Sequence, residues 1–218
     1  MMESRARNDN RQYSYGTASF SPRPEYGVIA GWIPNGSKVI DLGCGNGSFM
    51  HHLLEEKKAS VEGIERAPLG VEHCLAHGLS ARVGEIDRHE TYADYAAESF
   101  DFAVCNVTLH MVMYPEVLLG EMARIARNLV FSFPNFGHIF NRLDLFFTGR
   151  MPRPQLFGYE WFDTGQIHQL GLGDFLKFCR RHSLRVARQR HIGHPALLAN
   201  LVPSLFSRTA IYLCVKEV

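Results

Sequence analysis

VIDLGCGNG, residues 39–47, is the stretch that decides the fold: an apolar run carrying one carboxylate, Asp41, gives way to three glycines at alternate positions and then to Ser48. An apolar strand that ends in a glycine turn and opens a helix is the first unit of a doubly wound sheet, and such folds bind ligands in the crevice beyond that turn. Working outward, Lys38–Leu42 reads as a buried strand and Ser48–Lys58 as a helix. Upstream, Pro34-Asn35-Gly36 stops a short amphipathic helix over Glu25–Trp32.

Downstream the period keeps alternating. Ser60–Ile64, Leu79–Val83, Phe100–Asn106 and Asn128–Phe133 read as strands, and Leu69–His77 and Pro115–Arg127 as the helices between them. Continuous apolar strands separated by helices make a parallel sheet covered on both faces, an α/β fold in three layers. After Pro134 the pattern loosens. Phe136–Phe147 is an amphipathic helix candidate, Asp174–His182 another with Asp174 as its N-cap, and Arg185–His191 and Ala210–Lys216 are two late strands flanking an apolar excursion at Pro195–Phe206. The expected organisation is a polar leader over residues 1–24 followed by a single domain over 25–218 with an insertion at about 136–182. The leader reads as a mobile tail, although Tyr13, Tyr15 and Phe20 give it the means to fold over a pocket as a lid.

The glycine loop specifies its ligand by its departures. Gly43, Gly45 and Gly47 are spaced GxGxG, with Ser48 where a dinucleotide fingerprint has its third glycine, and no GK[ST] follows to make a phosphate loop. A buried Asp41 beside the loop repels a pyrophosphate and suits a ligand carrying an ammonium and a sulfonium. Glu65 ends the second strand, where an acidic side chain accepts hydrogen bonds from both ribose hydroxyls.

This pattern resembles the class I S-adenosylmethionine-dependent methyltransferases, whose first motif runs hydrophobic-Asp-hydrophobic-Gly-x-Gly-x-Gly with an acid ending the second strand. The resemblance implies a mostly parallel seven-stranded sheet, S-adenosylmethionine as cofactor and a carboxylate after the third strand for the adenine amino group. Glu85 is preferred to Asp87 for that role. The cofactor wall expected on this basis comprises Asp41, Gly43, Cys44, Gly45, Gly47, Glu65, Arg66, Glu85, Ile86, Asn106 and Leu109. More closely, the chain resembles the MetW proteins of methionine biosynthesis over about Tyr26–Glu217. The matching pieces are GWIPNGSKVIDLGCGNG at 31–47, SFPNFGH at 132–138, GRMP at 149–152, YEWFDTGQIH at 159–168 and LLANLVPSLFSRTAIY at 197–212. Asn46 and Glu85 stand where that family more often has Asp. Two activities follow from the likeness: methyl transfer to a small-molecule acceptor, or a partner role towards homoserine O-acyltransferase with S-adenosylmethionine as regulatory ligand. The second would use an exposed apolar surface such as Leu197–Phe206.

Methyl transfer needs few catalytic groups, because the sulfonium methyl is already electrophilic and the protein has mainly to align it and exclude water. His110, directly after the fourth strand, and Tyr159 are the catalytic candidates. His110 reads either as a general base or as a packing residue. Tyr159, Trp161, Phe162, Asp163 and His168 read either as an acceptor site for an amphipathic molecule or as a hydrophobic lid.

Composition narrows the classes. With 23 Lys and Arg against 22 Asp and Glu in 218 residues, the formal charge of +1 gives no electrostatic footprint for nucleic acid or a membrane surface. Asn106 is followed by Val107-Thr108, which lacks the Asn-Pro-Pro-aromatic motif of a base-flipping methyltransferase. The arginines at 180, 181, 185, 188 and 190 read as a solvated helix end and edge strand. Apolar runs such as Leu129–Phe133 are too short to span a bilayer, and five widely spaced cysteines make neither a disulfide framework nor a metal knuckle. The expectation is a cytoplasmic chain with no metal.

Overall fold

The computed structural model describes residues 20–153, 160–162 and 164–217. Its centre is a seven-stranded sheet: β1 (Lys38–Leu42), β2 (Ser60–Glu65), β3 (Ser80–Val83), β4 (Phe100–Asn106), β5 (Ala126–Pro134), β6 (Leu184–Ile192) and β7 (Thr209–Lys216), in the order β3-β2-β1-β4-β5-β7-β6. β7 pairs antiparallel to both β5 and β6 while every other pairing is parallel. The sheet is therefore mixed but mostly parallel. The strand order reverses between β1 and β4, which opens a crevice at their carboxyl ends.

Alternate residues on each strand supply two cores, as the two-residue period of a strand requires. Ile40, Leu42, Cys105, Phe131 and Phe133 face helices α4 (Pro115–Ile125) and α6 (Leu172–Arg181) through Leu118, Met122, Phe175 and Cys179. Val39, Val104, Val130 and Ile211 face α1 (Pro24–Ala30) and α2 (Ser48–Lys57) through Ile29, Phe49 and Leu53. Between α2 and α3 (Pro68–Ala76) a smaller set of Cys44, Met50, Cys74 and Leu79 fills the space behind the glycine loop. All five cysteines are buried and free.

The structure redraws several late elements. The helix expected from Phe136 begins only at Ile139: α5 (Ile139–Thr148) follows a Pro-Asn-Phe-Gly turn and is capped by His138, whose Nδ1 accepts from the Phe140 amide at 3.3 Å. Asp174 is not an N-cap residue. The helix starts two residues earlier, and Asp174 reaches back from the first turn to accept from the Gly171 amide at 2.9 Å. The excursion at 195–206 folds as two short helices, α7 (Ala196–Leu201) and α8 (Pro203–Phe206), divided at Pro203. Asn135 ties α8 to the end of β5: its amide nitrogen donates to the carbonyls of Ser204 and Ser207 at 3.1 and 3.0 Å. No helix among the described residues is long and apolar enough to cross a membrane.

Candidate cofactor site

Asp41 is the last inward residue but one of β1 and is 2% exposed. Burial first, and the neighbouring Glu65 carboxylate second, push its pKa from an ordinary 3.8 to about 7. Beyond it the chain turns through Gly43, Gly45 and Gly47, all at positive φ. A Cβ on Gly43 would lie 2.6 Å from the Thr108 side chain at the end of β4, and one on Gly47 would lie 2.5 Å from Leu79 and 2.8 Å from the Cys74 sulfur. Those glycines are thus required by close approach as well as by backbone conformation.

Glu65 organises the turn. Its two carboxylate oxygens accept from the Gly45 amide and from the Ala67 amide, each at 2.9 Å, so one side chain fixes both the glycine loop and the start of α3. The Gly43 and Cys44 amides donate to the Ile64 carbonyl at 2.8 and 3.1 Å, locking the turn against β2. Asn46 completes it, accepting from the Ser48 amide and hydroxyl at 3.2 and 2.7 Å.

Between these elements lies a cavity of about 660 Å³. Asp41, Gly43, Cys44, Gly45, Glu65, Arg66, Glu85, Ile86 and Asn106 all line it, which brings together nine of the residues expected from sequence. Gly47 and Leu109 do not. Gly47 is the N-cap of α2 and packs away from the cavity against Leu79 and Cys74, and Leu109 is buried in the core beside α4. His110 also lies elsewhere: its fully buried ring borders a much smaller pocket with Asn135, Gln166 and His168. The 3-10 turn Leu109–Met111 explains this, since it sends residues 109 and 110 inward and leaves Met111 on the cavity wall. The His110 carbonyl accepts from the Ile167 and His168 amides at 2.9 and 3.0 Å, so His110 anchors the 164–168 strap. Tyr159 lies outside the described residues, as do Tyr13, Tyr15 and Asp163; Trp161 is exposed.

On the third-strand side Glu85 pairs with Arg88 at 3.1 Å near the cavity mouth. Asp87 does a different job. Its carboxylate accepts from the Met113 and Tyr114 amides at 2.8 and 3.2 Å, holding the Met111–Tyr114 wall in place. Sequence reasoning did not single out Ser21, Arg23 and Tyr26, which line the cavity together with Thr108, at the strand end expected to line it, and Ile167. Phe20 is stacked on His51 with ring centroids 4.3 Å apart and edge-on to His73 and His77, and the Ser21 amide donates to Ser48 Oγ at 3.3 Å, which seats residues 20–26 as one rim of the cavity. Only the aromatic character of this segment hinted at that seating. Among the described residues no group of three or more His, Cys, Asp or Glu side chains is placed to hold a metal ion.

The strand order, the glycine turn and the acid closing β2 define the class I methyltransferase fold. A solved S-adenosylmethionine-dependent methyltransferase from Mesorhizobium loti superposes with a TM-score of 0.64 at 17% identity, covering 88% of this chain and 97% of that one. The chain belongs to the MetW family: the model for methionine biosynthesis protein MetW matches residues 23–214. A bifunctional methionine biosynthesis protein MetXA/MetW from Rhodopirellula baltica is 33% identical over 140 residues, 61% of this chain and 22% of that protein. A ubiquinone biosynthesis O-methyltransferase from Stutzerimonas stutzeri is 30% identical over 180 residues, 77% of this chain and 71% of the relative.

Proposed function

We propose that this chain binds S-adenosylmethionine in the 660 Å³ cavity and transfers its methyl group to a small-molecule acceptor. The observation that carries this reading is the pairing of two buried carboxylates, Asp41 and Glu65, beside a glycine turn packed so closely against Thr108, Leu79 and Cys74 that a Cβ at Gly43 or Gly47 would clash. Two acids this close are costly without a cation, and a ligand bearing an ammonium and a sulfonium supplies the missing charge. Glu65, Arg66, Glu85 and Ile86 lie where ribose and adenine would rest, and Asn106 and Thr108 close the loop side. When bound, the cofactor supplies an electrophilic methyl, so the chain's own task is alignment and exclusion of water. Met111–Tyr114, Ile167 and Tyr26 form the wall facing the acceptor, and His110 supports that wall from behind through its carbonyl. Soluble chain of cytoplasmic location fits this chemistry. Equilibrium titration with S-adenosylmethionine, S-adenosylhomocysteine and NAD tests the binding: saturable binding of the first two is expected, and no binding at millimolar ligand, or preference for NAD, overturns it. Release of S-adenosylhomocysteine from a mixture with small metabolites tests the transfer.

A second reading is favoured by one observation, the joining of a MetW-type region to a MetXA-type region in the Rhodopirellula relative. In it the chain is a partner of homoserine O-acyltransferase, and the bound cofactor regulates that enzyme. Such regulation requires the cofactor to bind the free and complexed chain with unequal affinity.

A further inference from the structure

Helix α5 is built inside out. Its one buried residue is Asn141, whose side-chain amide donates to the Phe136 carbonyl at 2.9 Å, and residues 142–150 are all exposed. Phe140, Leu143, Phe146 and Phe147 are 56%, 42%, 80% and 76% exposed. At about 100° per residue these four fall within an arc of about 120°, and Asn141 lies roughly opposite its middle. The helix therefore turns its polar position to the protein and its apolar stripe to water, the reverse of an ordinary surface helix.

The stripe is large enough to be the centre of an interface. Aromatic side chains present about 150–250 Å² each, so three phenylalanines at these exposures leave on the order of 300–500 Å² of apolar area in water. One partner in a stable interface buries ~800 Å², a little over half of it apolar, which is the same size. The polar positions of α5 argue against a lipid surface. Asn141, Arg142, Asp144 and Thr148 carry one cation and one anion, whereas helices that lie on anionic membranes carry basic polar faces. On the Leu197–Phe206 surface expected from sequence, Leu197, Leu201 and Val202 are the large apolar side chains left exposed, while Phe206 is partly buried, so it offers fewer exposed aromatic anchors than α5.

We propose that the outward stripe of α5 is the docking helix for a homoserine O-acyltransferase, entering an apolar groove on that enzyme. The inference rests on the partner reading above, which the fused MetXA/MetW relative supports. Its place in the fold connects it to the cavity. α5 leaves the carboxyl end of β5; the Phe136 amide just before it donates to the Leu170 carbonyl at 3.1 Å, and the strap ending at Leu170 carries Ile167 on the cavity wall. A partner gripping α5 is thus linked, through Phe136 and Leu170, to the segment whose Ile167 lines the cavity.

The test uses the full chain and the purified acyltransferase encoded in the same genome, with binding read by calorimetry and sedimentation. The double substitution Phe146→Ser, Phe147→Ser should weaken the complex at least a hundred-fold while leaving S-adenosylmethionine affinity and the melting temperature of the free chain unchanged. Leu197→Ser, Leu201→Ser on α7 should leave the complex intact. If the unaltered chain forms the complex and the α5 variant forms it equally well, the docking surface is overturned and the partner reading survives. If the unaltered chain forms no complex, both fall. Loss in the variant only of self-association, or only of binding to phosphatidylglycerol vesicles, would likewise overturn the proposal.

Discussion

Two regions at the same edge of the sheet obey opposite rules. In the glycine loop between β1 and α2, residue identity is dictated from within the chain: Gly43 is required by Thr108, Gly47 by Leu79 and Cys74, and Glu65 by the two amides it holds. In α5, which begins five residues after β5 ends, Phe146 and Phe147 are 80% and 76% exposed and their ring contact is with each other, so the fold of the described chain gives little reason for their identity. A residue can be specified by the fold or by what the fold meets, and exposure distinguishes the two cases.

If that contrast is right, substitution should be costly in the loop and nearly free on the helix. Gly43→Ala should do the most damage, since it combines a left-handed backbone with a Cβ 2.6 Å from Thr108. A loss of about 2–4 kcal/mol in unfolding free energy is expected by denaturant titration, with S-adenosylmethionine binding abolished. A variant as stable as the parent would mean that the loop has room the structure does not show.

Glu65→Ala should come next, weakening S-adenosylmethionine binding by roughly ten- to a hundred-fold in calorimetry, the worth of a charge-assisted hydrogen bond. Glu65→Gln should recover part of that loss only if the amides held by the side chain matter more than its charge.

Asp41 gives a smaller, pH-dependent effect. Its pKa in the folded chain is about 7, so the cationic ligand meets mostly neutral Asp41 at pH 6 and mostly carboxylate at pH 8. Affinity should rise roughly five- to ten-fold over that interval, and Asp41→Asn should flatten the profile. For the empty protein the sign is opposite. The fold holds this proton where the unfolded chain has already released it, so the contribution to stability declines as pH rises from about 4 to about 7 and is constant above. Thermal melts across that range check the direction.

The smallest effect belongs to α5: Phe146→Ser with Phe147→Ser should change unfolding free energy by no more than about 0.5 kcal/mol, as for surface positions without a structural partner. A large loss would show that the stripe is covered by the chain itself.

The legibility of the sequence followed the same division. β1 and β4 were read to the residue, because continuous apolar runs bounded by glycine, Pro-Asn-Gly or Phe-Asp leave one solution. That nine of the expected residues line one cavity has a related reason: they cluster at strand ends, where position in the motif fixes position in space. What escaped comes from tertiary placement. Nothing local announces that residues 20–26 form a rim of the cavity, nor that Leu109 and His110 turn inward at a 3-10 turn while Met111 faces the cavity. The inverted polarity of α5 was equally hidden, since periodicity reveals an apolar stripe but not which way it points.

The antiparallel β7 lies between β5 and β6, so β6 has no neighbour in the sheet until the segment following it has been inserted. During synthesis on a ribosome, which proceeds from the amino end, β1 to β5 and the glycine loop can assemble while β6 waits unpaired with its arginines in water. The exposed charges at 185, 188 and 190 then keep a solitary strand from joining another nascent chain, a protective duty that begins before β7 emerges and continues afterwards, because β6 remains an edge strand.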